Sequence, residues 1–382
     1  MKIRTRIFPA IIVVLLPFLS ASFLKAASAR QDKPAEKSQR ETKSEERIFI
    51  PKEVKAVIQE GLASRQGRRD IPFSLFKYFY FPARENLHAV FIFKAKNADL
   101  GFAPAAAPQA PQAPAGGTQK PGQDQAPPAP TPAPEPAASS LLQAKIHVFL
   151  QFHQLQNGSP VKVVKEVYIP VVLEADAASY DPEKVEWFST AFPFPPGDYL
   201  LAMAIAPPDP AFGKIGVSYL EFSLPDALAL GERLDMTPVV FIKQMDRMES
   251  PEMQSDVHKG YFTYSVLRVV PNIENVILPG ETVEIFYFVF GCQPVDGQKY
   301  DLEASYEVRK DGQAKIRWEN QAYDFSLISQ PLPMKQTLLI KDEKGDRQEA
   351  HDLEAGTYAL IIKLKDKVSG KAVEKTVEFE VK

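Results

Sequence analysis

The chain has 382 residues, 45% of them apolar, and 45 Lys and Arg against 48 Asp and Glu give a formal net charge of −3. That length leaves room for two or three separately cored domains. The near-neutral balance argues against a nucleic-acid binder, which needs a basic face. A single cysteine, Cys292, closes no intrachain disulfide, so burial must supply the stability; at the end of an apolar strand it reads as an inert, buried thiol.

Residues 1–29 have the pattern of a Sec-type signal peptide. Lys2, Arg4 and Arg6 form a positive start, residues 7–24 an apolar stretch, and Ala27-Ser28-Ala29 a small-residue cleavage site. The expected location is secreted or periplasmic, with retention as an uncleaved N-terminal membrane anchor as the alternative. No cysteine closely follows the apolar run, which excludes a lipoprotein, and no other segment reaches the roughly 18 apolar residues of a membrane span. Residues 30–50 mix charges of both signs and read as a disordered tether. Over 51–67, Pro51 suits a first helical position, and Val54, Val57, Ile58 and Leu62 recur at helical spacing. A short amphipathic helix is expected there, with Gly61 as its weak point.

From residue 68 the pattern becomes that of strands, and 68–226 reads as a first immunoglobulin-like β-sandwich. Phe73 to Phe81 and Leu87 to Lys94 are rich in aromatic and β-branched residues. Residues 103–138 are nearly all Ala, Pro, Gln and Gly. They are expected to be an exposed, disordered, Pro-rich insert within that sandwich. Residues 227–258 read as an interdomain linker. They hold four of the seven methionines, Met236, Met245, Met248 and Met253, at irregular spacing, which suits adaptable packing better than a copper site. Residues 259–382 read as a second sandwich. There Leu302, Ala304, Tyr306 and Val308 alternate with polar residues, and Val283 to Phe290 is apolar on both faces, as a central or doubly covered strand is.

The fold class follows from a repeat. Asn157-Gly158 and then Gly197-Asp198-Tyr199-Leu200 are echoed by Asp311-Gly312 and then Gly356-Thr357-Tyr358-Ala359. The chain is therefore read as all-β, with two tandem immunoglobulin-like sandwiches. In such folds a tyrosine at the penultimate strand buries its ring and bonds its hydroxyl to backbone just upstream. Tyr199 and Tyr358 are assigned that structural role, with Gly197 and Gly356 permitting the bend and Phe194 and Leu353 packing beneath.

Chemistry is sparse. His88, His147, His153, His258 and His351 pair at no metal-binding spacing, and no hydrolase, phosphate-loop or cysteine-cluster motif occurs. No enzyme activity, cofactor or metal is expected. Trp187 and Trp318 are the candidate binding aromatics for a stacked sugar. The runs Lys77 to Tyr80 and Phe286 to Phe288 are candidates for strand addition by an envelope protein, if either lies at a sheet edge. The preferred function is an exported bacterial, non-catalytic structural or protein-interaction module of the cell envelope. A carbohydrate-binding or adhesion module is the alternative, and a hydrolase with an unrecognised site a more distant one.

Several short pieces between residues 60 and 230 carry a family likeness: Glu60-Gly61-Leu62, Arg68 to Phe73, Pro195 to Tyr199, Gly213 to Val217 and Leu224-Pro225-Asp226. This region resembles the C-terminal β-sandwich region of acidobacterial VWFA-related proteins. The resemblance implies an exported bacterial protein with an accessory sandwich. The family's von Willebrand type A domain begins its metal site Asp-x-Ser-x-Ser, which has no counterpart here, so its metal-dependent adhesion does not carry over.

Overall fold

The computed structural model describes residues 50–105, 141–209, 213–226, 233–252, 256–297, 299–342 and 345–382. The expected signal peptide, nearly all of the tether, most of the Pro-rich insert and Met253 lie outside the described residues. Within them the chain is all-β apart from helix α1 (Lys52–Leu62) and one 3-10 turn.

Strands β1 (Phe73–Ala83), β2 (Asn86–Lys96) and β5 (Val185–Phe194) form a first sheet in that spatial order. The second sheet is built on the long hairpin of β3 (Leu141–Gln156) and β4 (Ser159–Asp176), with β6 (Gly197–Ala206) on the other side of β3 and β7 (Gly216–Leu224) beyond it. The third sheet takes β8 (Val240–Arg247), β9 (Phe262–Tyr264), β10 (Leu267–Pro271), β11 (Thr282–Phe290) and β14 (Leu327–Pro333), in the order β9-β10-β8-β11-β14. The fourth places β12 (Leu302–Lys310) between β13 (Gln313–Arg317) and β17 (Gly356–Asp366), with β18 (Ala372–Val381) outside β17. Strands β15 (Lys335–Asp342) and β16 (Gly345–Asp352) make a separate hairpin.

Side-chain alternation sets the stacking, because successive residues of a strand face opposite sides of its sheet. On β2, Leu87, Ala89, Phe91 and Phe93 enter a core shared with the second sheet, while Val90 and Ile92 face the third sheet. On β11, Val283, Ile285, Tyr287 and Val289 enter a core shared with the fourth sheet, while Phe286 faces back towards Val90 and Ile92. The four sheets therefore stack in the order second, first, third, fourth, with three apolar cores between them. Helix α1 covers the outer face of the second sheet. There Val54 and Ile58 pack on Phe149 and on Ala202, Ala204 and Ala206, the three alanines letting the helix sit close.

The turn signals produce the same geometry twice. Asn157 and Gly158 have φ of 52° and 75°, and Asp311 and Gly312 have 52° and 77°. Two successive positive φ values match a turn to the twist of its flanking strands. Gly61 has a different use. A Cβ there would lie 2.2 Å from the Gln66 carbonyl oxygen, so the chain can double back on the helix end only over glycine.

Three expectations are corrected. The helix ends at Leu62, short of residue 67, because the chain reverses through Arg65 at φ 58°. The insert begins later than residue 103, since Ala103–Pro104 pairs with Leu142 and Gln143. Residues 227–258 are more than a linker. Strand β8 lies inside the third sheet, Asp235–Met236 pairs with Phe290 and Val289, and His258 joins the first sheet beside Ser189. The backbone groups of these paired residues are satisfied by ladders that sequence-local patterning does not announce.

Candidate functional site

The two repeated tyrosines have matching environments. The Tyr199 hydroxyl donates to the Pro195 carbonyl at 2.9 Å, and Tyr358 to the Glu354 carbonyl at 2.8 Å. Both rings are buried and stack on a phenylalanine of the next strand, Phe222 at 5.2 Å and Phe379 at 5.5 Å. Phe194 lies 5.4 Å from Tyr199, and Leu353 shares a core with Tyr358. Gly197 and Gly356 open the strands at φ of 147° and 142°. These contacts hold the strands and leave no hydroxyl facing a site.

The other candidates are dispersed. Trp187 is half-buried against the core between the first and third sheets, and Trp318 against the core between the third and fourth, so they share no platform. His147 meets the Tyr168 hydroxyl at 3.3 Å, and no cluster of three metal-ligating groups forms among the described residues. Burial pushes the Cys292 thiol up to about 12, with the nearby Asp366 adding to it, which leaves the sulfur protonated and a poor nucleophile. Met236 is buried in one core and Met245 packs on another.

Neither aromatic run offers an open edge. Phe286 to Phe288 lies between β8 and β14, in the interior of the third sheet. Lys77 to Tyr80 does lie in an outermost strand, but β7 of the second sheet closes over it. The Tyr78 hydroxyl bridges the Ser223 N–H and carbonyl at 3.2 Å each, and the Leu75 N–H reaches the Ser218 hydroxyl at 3.4 Å. Phe79 is also covered by Phe262 at 6.1 Å. Strand β4 is also a long strand with one unpaired side, and it leaves Val161, Val163, Tyr168 and Val172 exposed.

Where the first and third sheets meet, a solvent-open cleft of about 270 Å³ is lined by Lys94, Val185, Trp187, Lys243, Pro271 and Glu274, among others. Lys94 and Trp187 are cross-strand partners in the first sheet, and Val185 lies on the same face two residues along. Two bulges flank the cleft. Phe76 is the extra residue where β1 steps past Phe93 and Ile92, and Lys243 is the extra residue where β8 steps past Pro271 and Val270. A bulge gives up regular pairing and re-aims a side chain. The Lys94 ammonium sits 3.5 Å from the Phe76 ring centroid and pairs with Glu274. Lys77 donates to the Ile273 carbonyl beneath the rim. Burial draws the Lys77 ammonium below its ordinary value; Glu274 opposes that and Lys94 adds to it.

The residues that sequence reasoning passed over here are Phe76, Lys94, Lys243 and Glu274. A lysine inside an otherwise aromatic strand, as at Lys77 and Lys94, was the available signal. No protein-family model matches the chain, and no curated protein matches it.

Proposed function

We propose that this chain is an exported bacterial, non-catalytic structural or protein-interaction module of the cell envelope, made of two immunoglobulin-like sandwiches locked into one rigid body. The observation that carries this reading is the core between the first and third sheets. Phe81, Phe262 and Phe286 are wholly buried there, and Phe81 stacks on Phe262 at 5.7 Å. Burying one such ring contributes about 1.5–3 kcal/mol, so the junction resists bending as a flexible linker does not. The likeness of residues 60–230 to the sandwich region of acidobacterial VWFA-related proteins supports export and an accessory role. A partner strand adds to the free side of β4 between Pro160 and Pro170, because proline interrupts a ladder at each end.

Calorimetry of the intact chain and cross-linked capture from an envelope fraction test this together. A single unfolding transition is expected, which Phe81→Ala splits or lowers. A captured partner is expected to be lost with Val163→Asp and Tyr168→Asp. Two independent transitions in the unaltered chain, or turnover of generic esters or glycosides by the pure protein, would overturn the reading. A second reading, carbohydrate binding, is favoured by Trp187 standing in the cleft at the same junction.

A further inference from the structure

We propose that the cleft between the first and third sheets binds a carboxylated sugar ring within an acidic polysaccharide, a site that rests on the carbohydrate reading above and gives its ligand class. Three features converge on it. The apolar part of the lining is the Trp187 indole with Val185 and Pro271, side chains against which the C–H face of a pyranose can pack. Its volume of about 270 Å³ suits one ring, and it opens to solvent, so the rest of a chain need not be enclosed.

The rim is cationic. Lys94 and Lys243 line it, with Lys77 directly behind, against the single carboxylate of Glu274. One negative charge brought by the ligand would offset part of that excess, whereas a neutral sugar would leave it in place. The roles divide naturally. Lys94, its side chain only 17% exposed and held between the Phe76 ring and Glu274, is preorganised. Lys243 is exposed and free to close on a carboxylate, and Glu274 accepts from sugar hydroxyls. The backbone has been shaped for this on both sides of the cleft. The bulges at Phe76 and Lys243 belong to different sheets and different halves of the chain; Lys243 itself lines the opening, and Phe76 lies against Lys94, which also lines it. Asn272 is engaged with the Val276 backbone at both ends of its amide, so it supports the wall and leaves recognition to the charged groups.

The test is titration of the full chain with oligomers of galacturonate, glucuronate and mannuronate, and with neutral galactose oligomers. At least one uronate series is expected to bind and to quench tryptophan fluorescence. The quench should persist in Trp318→Phe and vanish in Trp187→Phe. Lys243→Ala should weaken binding about tenfold and Lys243→Glu further, with an unchanged melting temperature because the residue is exposed. Neutral oligomers binding as tightly as the uronates would overturn the acidic ligand while sparing the carbohydrate reading. Binding by neither would overturn both, and uronate binding indifferent to Lys243 would overturn this site.

Discussion

The core between the first and second sheets and the core between the third and fourth solve one packing problem with different chemistry. The former is dense in phenylalanine: Phe152 alone lies within 5.5 Å, centroid to centroid, of Phe91, Phe192 and Phe194. The latter holds a chain of hydroxyls through its middle. Tyr287 meets Tyr306 at 3.0 Å, Tyr306 meets Tyr323 at 2.9 Å, and Tyr323 donates to the Gln330 amide oxygen at 2.6 Å. Burial raises the pKa of all three tyrosines, so they stay protonated and act as links in the chain. A hydrocarbon core fails by leaving a cavity, whereas a hydrogen-bonded core fails by stranding a polar group. The two halves should therefore respond differently to small truncations.

The largest effect belongs to the hydrocarbon side. Phe152→Ala should cost about 3–5 kcal/mol of stability in denaturant unfolding, since its ring is wholly buried among other rings. A loss under about 1 kcal/mol would mean that the core closes up around the gap. On the hydroxyl side, Tyr306→Phe removes no carbon yet breaks two of the three links. It should cost about 1–3 kcal/mol, and Tyr199→Phe and Tyr358→Phe should fall in the same range, close to each other. Tyr306→Phe without effect would show the hydroxyl chain to be dispensable, and unequal losses at the two corners would break their equivalence. The smallest effect is a pH slope at the junction. His88 lies 5.8 Å from Tyr264, and burial lowers its pKa below the ordinary 6.5, only partly opposed by its bond to the Thr263 backbone. The unfolded chain then takes up the proton first. Stability should fall as pH drops through 6.5 towards the depressed native value, and it should be insensitive to His88 above that window. In His88→Phe, melting curves across this range should lose part of the slope; an unaltered slope would assign it elsewhere.

What could be read from the chain followed the range of the interactions. The alternation of Leu302 to Arg309, the two tight turns and the two-sided run from Val283 to Phe290 are local patterns. The two runs appear as strands, the two turns as turns, and β11 is covered on both faces. Strand β8 escaped notice because Lys243, Gln244, Asp246 and Arg247 follow only three apolar residues, and its place inside a sheet comes from partners twenty or more residues away. The cleft was legible in Trp187 and, more faintly, in the lysines set within aromatic strands at Lys77 and Lys94. The bulges that aim Phe76 and Lys243 are register shifts against distant strands, and no propensity of those two residues encodes them.

The shared interface of the halves also limits how the protein can be dissected. A fragment ending after β7 would bare Phe79, Phe81, Val90 and Ile92, and the complementary fragment would bare Val240, Ile242, Phe262 and Phe286. Such greasy patches drive self-association. Each piece expressed alone would therefore aggregate or pair with itself, and co-expression of both pieces is the route by which either one is recovered in native form.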